Sequence, residues 1–204
     1  MEPSQDRKDT SLASQEQDSH TSTTSSDVQL TFKPIAPEDT IPLRHLVLWP
    51  SISLDKQLIP EYDFNPKTIH LGAFKIPNPN TASQPTLQDP TFDKDHPIGV
   101  LTLAAQRYPS FSGEIPVHIQ LHKFAVHPSL QGKGIGRQLL SYAIEILRQR
   151  YPDQKILFHF DARVSQIRFY ERSGMSILDE KTFWKYGSTG KGEGVEYVKM
   201  GRVL

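Results

Sequence analysis

The sequence predicts an α/β (α+β) fold, a mixed central sheet flanked by helices, and two observations carry that prediction. Strand-like and helix-like runs follow one another in the order β-α-(α)-β-β-β-α-β-α-β-β, which a sheet with helices packed on its faces accommodates. Midway, the glycine-rich Gln131-Gly132-Lys133-Gly134-Ile135-Gly136-Arg137 joins a strand-like run, Ile119 to Val126, to a helix-like run, Arg137 to Arg150. Glycine lets the backbone approach a ligand, the first amides of a helix have no partner within it, and the helix dipole favours negative charge there. The segment is a candidate cradle for a phosphate or pyrophosphate at a strand's carboxyl end.

Met1 to about Asp27 is Ser, Thr, Gln and Asp with almost nothing to bury, so it cannot offset its ordering entropy and reads as a disordered tail. A single domain is expected from residue 28 to 204. Val28 to Lys33 alternates apolar and polar as a first strand, and Pro37-Glu38-Asp39 opens a helix that runs through Leu48. Thr68 to Phe74 reads as the second strand and His96 to Ala105 as the third. Between them, Ile76 to Asp95 carries four prolines and many turn formers, a long exposed loop. Tyr108 to Pro116 leads into the fourth strand. After the long helix, Lys155 to Phe160 is a short apolar strand and Val164 to Arg172 a helix. Met175 to Leu178 and Gly194 to Met200 close the sheet.

Composition narrows the function. At 204 residues, with 23 Lys+Arg against 23 Asp+Glu, the chain has no basic field of the kind that dominates nucleic-acid affinity. It has no cysteine, which removes disulfides, Cys-ligated zinc and an acyl-cysteine intermediate. No apolar run approaches a membrane span, and the first residues lack the character of a secretory signal or transit peptide. The expected setting is cytoplasmic, with a nuclear location also compatible. His118, His122, His127 and His159 are scattered over strands without metal-ligand spacing, so no metal is expected.

Spacing decides which phosphate ligand fits. No stretch supplies the Gly-x-x-x-x-Gly-Lys-Ser/Thr loop, and the place of a third dinucleotide-binding glycine after Gly132 and Gly134 is held by Arg137. The segment does fit Gln/Arg-x-x-Gly-x-Gly/Ala at Gln131, Gly134 and Gly136. With the preceding Leu121 to Leu130, and with Phe169-Tyr170-Glu171-Arg172-Ser173-Gly174-Met175 further on, it resembles the GNAT superfamily of acyl-CoA-dependent N-acetyltransferases. The resemblance is clear from roughly Ile98 to Met200 and thinner from Val28 to Lys75. Many members carry an Asn where this chain has Asp161-Ala162-Arg163-Val164-Ser165-Gln166, and the Ala-Arg form is similar to the subgroup related to the ElaA proteins.

That resemblance implies the acyl-CoA N-acyltransferase fold, in which strands four and five splay apart and the pantetheine arm of acetyl-CoA lies in the gap. Backbone groups near Phe124 and Val126 would pair with the arm, and the loop Gln131, Gly132, Lys133, Gly134, Ile135, Gly136 and Arg137 would hold the pyrophosphate. Ser165 or Arg163 would stand in for the missing Asn.

Direct acetyl transfer needs a deprotonated amine, a stabilised oxyanion and a proton for the departing thiolate. Tyr170 occupies the place where the resemblance puts the acid; the alternative is an amphipathic tyrosine anchoring its helix. His122 shares one strand face with Gln120 and is the candidate base; the alternative is a strand histidine bonded to a neighbour. A backbone amide such as that of Val126 would serve the oxyanion. Glu61 and Asp63, before the second strand, are candidates to hold a cationic acceptor, with His70 beside them; such acids more often solvate a loop. Trp49, Trp184 and Tyr186 could wall an apolar acceptor or pack in the core. The expected partner is a small-molecule amine or amino-acid derivative, taken by a monomer or homodimer. A protein or peptide acceptor, and a catalytically silent acyl-CoA-binding or interaction module, are the competing readings.

Overall fold

The computed structural model describes residues 29–76, 95–111, 113–186 and 194–204. The tail to Asp27 and most of the loop from Ile76 to Asp95 lie outside the described residues. The strands β1 (Leu30–Pro34), β2 (Ile69–Lys75), β3 (Gly99–Ala105), β4 (Val117–Val126), β5 (Ile156–Arg163), β6 (Ser176–Lys185) and β7 (Val195–Val203) form one sheet in the order β1-β2-β3-β4-β5-β7-β6. Every neighbouring pair is antiparallel except β4 and β5, which are parallel. A parallel pair cannot be closed by a hairpin, so the chain crosses over through the helix α3, Ile135–Arg150.

Three layers follow from the pattern of apolar residues. In α3, Ile135, Leu139, Leu140, Ala143, Ile144 and Leu147 recur at three- and four-residue steps and bury one stripe. That stripe meets Leu71, Leu101, Leu103, Ile119, Leu121, Ile156, Phe158 and Phe160 from alternate strand positions. On the opposite face lie a helical segment, with α1 (Ile41–Leu43) continued by a wide turn Arg44–Leu48, and the short helix α2, Pro60–Asp63. β3 is covered on both sides, which is why Gly99 through Ala104 are all buried. The helix α4 (Ile167–Glu171) follows β5 through the tight turn Val164–Gln166.

Two strands run further than their apolar residues suggest. β5 continues past Phe160 through Asp161, Ala162 and Arg163, because β7 pairs with it along that whole length. β6 continues past Leu178 to Lys185 although it is exposed along most of its length. An edge strand with few buried side chains has no alternation to read, and its pairing with β7 alone defines it.

A bulge in β4 sets up the site. Val100 faces Ala125 and Thr102 faces His122, a step of two residues on β3 against three on β4. The extra residue is accommodated around Lys123, whose φ of 22° is positive. Below it, Val117 to Gln120 pair with Ile156 to His159; above Gln120 that parallel register ends. The two strands thus part where the bulge bends β4, and the splay expected between strands four and five is present.

Candidate active site

On the α3 side, the end of β4 runs through the tight turn Pro128–Leu130 into the glycine-rich loop. Gly132 and Gly134 have φ of 77° and 80°, a region that favours glycine, and Gly134 is the N-cap of α3. A Cβ added at Gly132 would meet nothing within 4 Å, and at Gly134 only the Gln138 amide nitrogen at 4.0 Å. Open space therefore lies over the amides at the head of α3, as a cradle for an anion requires.

Gly136 serves packing instead. Its missing Cβ would stand 3.3 Å from the Phe124 ring and 3.5 Å from Phe169, so the first turn of α3 can close on both. Gln131, expected to bind the cofactor, donates from Nε2 to the Val126 carbonyl oxygen at 3.0 Å and clamps the loop to the end of β4. Ile135 is buried in the core, which leaves only its backbone for a ligand, whereas the side chains of Lys133 and Arg137 are exposed. Ser165 is exposed in the turn before α4.

The splay is bridged on this side by rings. Phe124 of β4 lies 6.1 Å from Phe169, Phe169 lies 4.9 Å from Tyr170, and Tyr170 lies 4.4 Å from Phe160 of β5. Burial pushes the Tyr170 hydroxyl up to about 12, so the phenol keeps its proton at neutral pH. A phenol in that state stays protonated and is not available as a base.

On the other face, His122 points toward the helical layer by its alternation with Gln120, and the bulge turns Lys123 to the same side. The His122 ring lies 5.0 Å from Tyr62 of α2, and its Nε2 donates to Gln106 Oε1 at 3.0 Å. Burial, then the Lys123 charge, lowers its pKa to about 4. His122 is therefore a neutral imidazole with a free basic lone pair only at Nδ1. We expect an NMR titration of the ring to place its midpoint near 4; a midpoint near the ordinary 6.5, for a signal lost in His122→Gln, would show a solvated ring.

Gln106 also ties in β5, since its carbonyl accepts from His159 Nε2 at 2.8 Å. His159 is held neutral in the same way, its pKa lowered to about 4 by burial. Gln120, on the face shared with His122, is buried opposite His159 at the last paired rung. Across the gap, Asp161 of β5 pairs with Lys185 at 2.6 Å and with Lys199 of β7.

Asp63 does not stand at an acceptor mouth. Its carboxylate is bidentate to Arg44, at 2.7 and 2.8 Å, with both side chains buried. Arg44 also donates to Thr102 Oγ1 at 2.8 Å, and the Ile59 amide donates to Asp63 at 2.6 Å. The pair ties the helical layer to the sheet, because a buried charge must be matched by its opposite. His70 belongs to the same cluster through Thr102 Oγ1 at 2.9 Å and the Asp63 carbonyl at 3.0 Å. Glu61 remains exposed, on the helix that carries Tyr62. Trp49 is half-buried beneath Lys123, whose Nζ lies 4.0 Å from its ring. Trp184 and Tyr186 are exposed.

Sequence reasoning did not single out Gln106, Lys123 or Lys199. Gln106 follows β3 with no motif around it, and Lys199 acquires meaning only through its rung opposite Asp161. Lys123 sits in an alternating strand where its position predicts the α3 face; the bulge reverses that. No group of His, Cys, Asp and Glu that could hold a metal occurs among the described residues, and no helix among them is long and apolar enough to cross a membrane.

A substitution at the cradle has a defined outcome. Gly134→Val would force a β-branched residue to a φ of 80° and place its side chain over the amides. Calorimetry is expected to show acetyl-CoA affinity reduced by about tenfold or more, about 1.4 kcal/mol. A folded variant with unchanged affinity would remove the loop from the binding site.

The solved structures that share this architecture are distant in sequence. Escherichia coli ElaA superposes with a TM-score of 0.56 at 14% identity, covering 85% of this chain and 99% of that one. Arabidopsis thaliana NAA60 in complex with a bisubstrate analogue gives 0.59 at 13% identity, over 86% and 99%. An aminoglycoside 6'-N-acetyltransferase complexed with coenzyme A gives 0.53 at 12% identity, over 85% and 96%. These likenesses establish the fold alone. No curated protein matches the sequence significantly. The acetyltransferase (GNAT) family model matches residues 57–175, more than half of the chain and every element from α2 to the end of α4, with the glycine-rich loop inside it. The chain belongs to the GNAT family of acetyltransferases.

Proposed function

We propose that this protein transfers an acetyl group from acetyl-CoA directly to the amine of a small molecule or amino-acid derivative within a ternary complex. The observation that carries the reading is the coincidence, at one splay, of open space over the head of α3, the protonated Tyr170 and a second, polar face across β4. Family membership supplies the reaction class.

The fit to acetyl-CoA rests on the cradle that a Cβ at Gly132 or Gly134 would enter. Amides from Gly132 to Arg137 would take its pyrophosphate, and backbone at Phe124 and Val126 would flank its arm. Once bound, it supplies the acetyl thioester. Tyr170 keeps its proton at neutral pH and donates it to the departing sulfur. On the opposite face, His122 is neutral and accepts the proton that the amine loses; with its pKa near 4 it is a weak base, best suited to passing the proton onward to solvent. The aromatic bridge Phe124-Phe169-Tyr170-Phe160 gives the space between the two strands an apolar lining.

Calorimetric titration with acetyl-CoA, free CoA and ATP tests the first half of the reading. Selective binding of both CoA species, followed by thiol release on adding members of an amine panel, is the expected result. Binding without thiol release from any amine would leave a silent acyl-CoA-binding module; no binding in a folded sample would overturn the reading altogether.

A further inference from the structure

We propose that the acceptor carries an anionic group, a carboxylate or a phosphate, close to the amine that is acetylated, and that Lys123 binds that group at the mouth of the splay. The proposal rests on the acetyl-transfer reading for the identity of the amine, but the charge preference stands on the geometry of this face.

Asp63, which is buried, and Asp161, which is partly buried, are the carboxylates nearest the splay, and both are already matched. Asp63 is spent on Arg44, and Asp161 is held between Lys185 and Lys199. Neither offers an unmet negative charge to a substrate ammonium. Of the four cations Arg44, Lys123, Lys185 and Lys199, three touch one of these two carboxylates, and the one that touches neither is at the bulge.

Lys123 has no carboxylate partner among the described residues; its ammonium rests on the Trp49 ring at 4.0 Å. Burial, with the repulsion of Arg44 and Lys185, lowers its pKa to about 8, which still leaves it mostly charged at neutral pH. A partly desolvated cation without a counter-ion is stabilised by any anion that reaches it.

Its placement also has a cost. A non-glycine backbone with φ of 22° is strained, and a regular strand at this point would have sent Lys123 to the α3 side. The bulge instead puts it beside His122, on the edge of β4 that faces Asp161 across the gap. An anion on Lys123 would therefore lie one residue from His122, within the reach of a small amine such as an amino acid. A polyamine, or an acceptor whose charges are all positive, would meet repulsion from Lys123, while Glu61, the acid on the neighbouring helix, is exposed to solvent, where its attraction is screened.

The test measures product binding, which needs no turnover. N-acetyl amino acids are titrated by calorimetry into the protein saturated with CoA, each beside its carboxamide; N-acetylphosphoethanolamine is titrated beside N-acetylethanolamine. Anionic members are expected to bind about tenfold more tightly than their neutral counterparts, as a charge-assisted hydrogen bond implies. The pair showing the larger ratio distinguishes carboxylate from phosphate. In Lys123→Gln the ratio is expected to fall to near unity, and in Lys123→Arg to be largely retained.

Equal binding of charged and neutral forms in the wild-type protein overturns the proposal, whether or not the variants fold. Discrimination that survives in a folded Lys123→Gln overturns the assignment to Lys123. A parallel turnover assay keeps the two readings apart. Transfer to neutral amines as fast as to anionic ones sinks the anion preference and leaves acetyl transfer standing, whereas charge-selective binding without any transfer does the reverse.

Discussion

Tyr170→Phe is expected to lower kcat by on the order of 10²-fold or more while acetyl-CoA affinity stays nearly unchanged. The ring contributes packing against Phe160 and Phe169, at 4.4 and 4.9 Å, and phenylalanine keeps all of it. What the substitution removes is one hydroxyl, which burial holds protonated with a pKa of about 12. A hydroxyl used only when the thiolate departs stabilises the transition state and not the ground state, so its loss appears in kcat and not in binding. Steady-state kinetics with calorimetry of the same variant decides the matter. Unchanged turnover would return Tyr170 to a packing role, and a parallel loss of affinity would place the hydroxyl against bound cofactor.

Asp63→Ala is expected to cost about 3–5 kcal/mol of folding stability, because it leaves the Arg44 guanidinium buried without its carboxylate. The bidentate pair, the Ile59 amide and Thr102 make one connected set joining the wide turn Arg44–Leu48, α2 and β3. Urea unfolding of the variant, and of a double variant Arg44→Met/Asp63→Leu, separates charge from packing; the double variant is expected to be the more stable of the two. If Asp63→Ala unfolds at the wild-type denaturant concentration, Arg44 is not held as described.

The same pair gives a pH dependence. Burial raises the Asp63 pKa, but the Arg44 hydrogen bonds, the Ile59 amide and the nearby charges outweigh it and hold the carboxyl below its ordinary value. A carboxyl lowered in the folded state contributes stability that is fully present above the unfolded pKa, near 3.9, and is lost as pH falls through the folded value. His122 and His159 add to acid sensitivity at higher pH. Both are kept neutral down to about 4 in the fold, while the unfolded chain binds protons from about 6.5 downward. Stability is therefore expected to decline from about pH 6.5 toward 4 on account of the two histidines, and to fall further at lower pH as the Asp63 carboxyl protonates, with the upper decline made shallower by His159→Gln if that variant folds.

The sequence made the element order and the glycine-rich turn at the head of α3 legible because both depend on local chemistry. The i, i+3, i+4 stripe of α3, the apolar runs of β3 and β5, and glycines at positive φ before a helix are each visible in a short window. Tyr170 was legible through the motif around it. The polar face was less so. Asp63 reads as an exposed loop acid until Arg44, far away in the chain, is seen to be buried against it, and Asp161 reads as the end of a strand until β7 brings Lys199 to it.

By itself, then, the chain determined that a sheet flanked by helices would carry a glycine-rich turn at a strand's carboxyl end, with the Phe169-Tyr170 helix following. Only the tertiary structure decided which charges remain unmatched. Charge matching depends on which carboxylate each cation reaches across strands and layers, and one extra residue in β4 turned Lys123 from the face its alternation predicts to the face that the acceptor would approach.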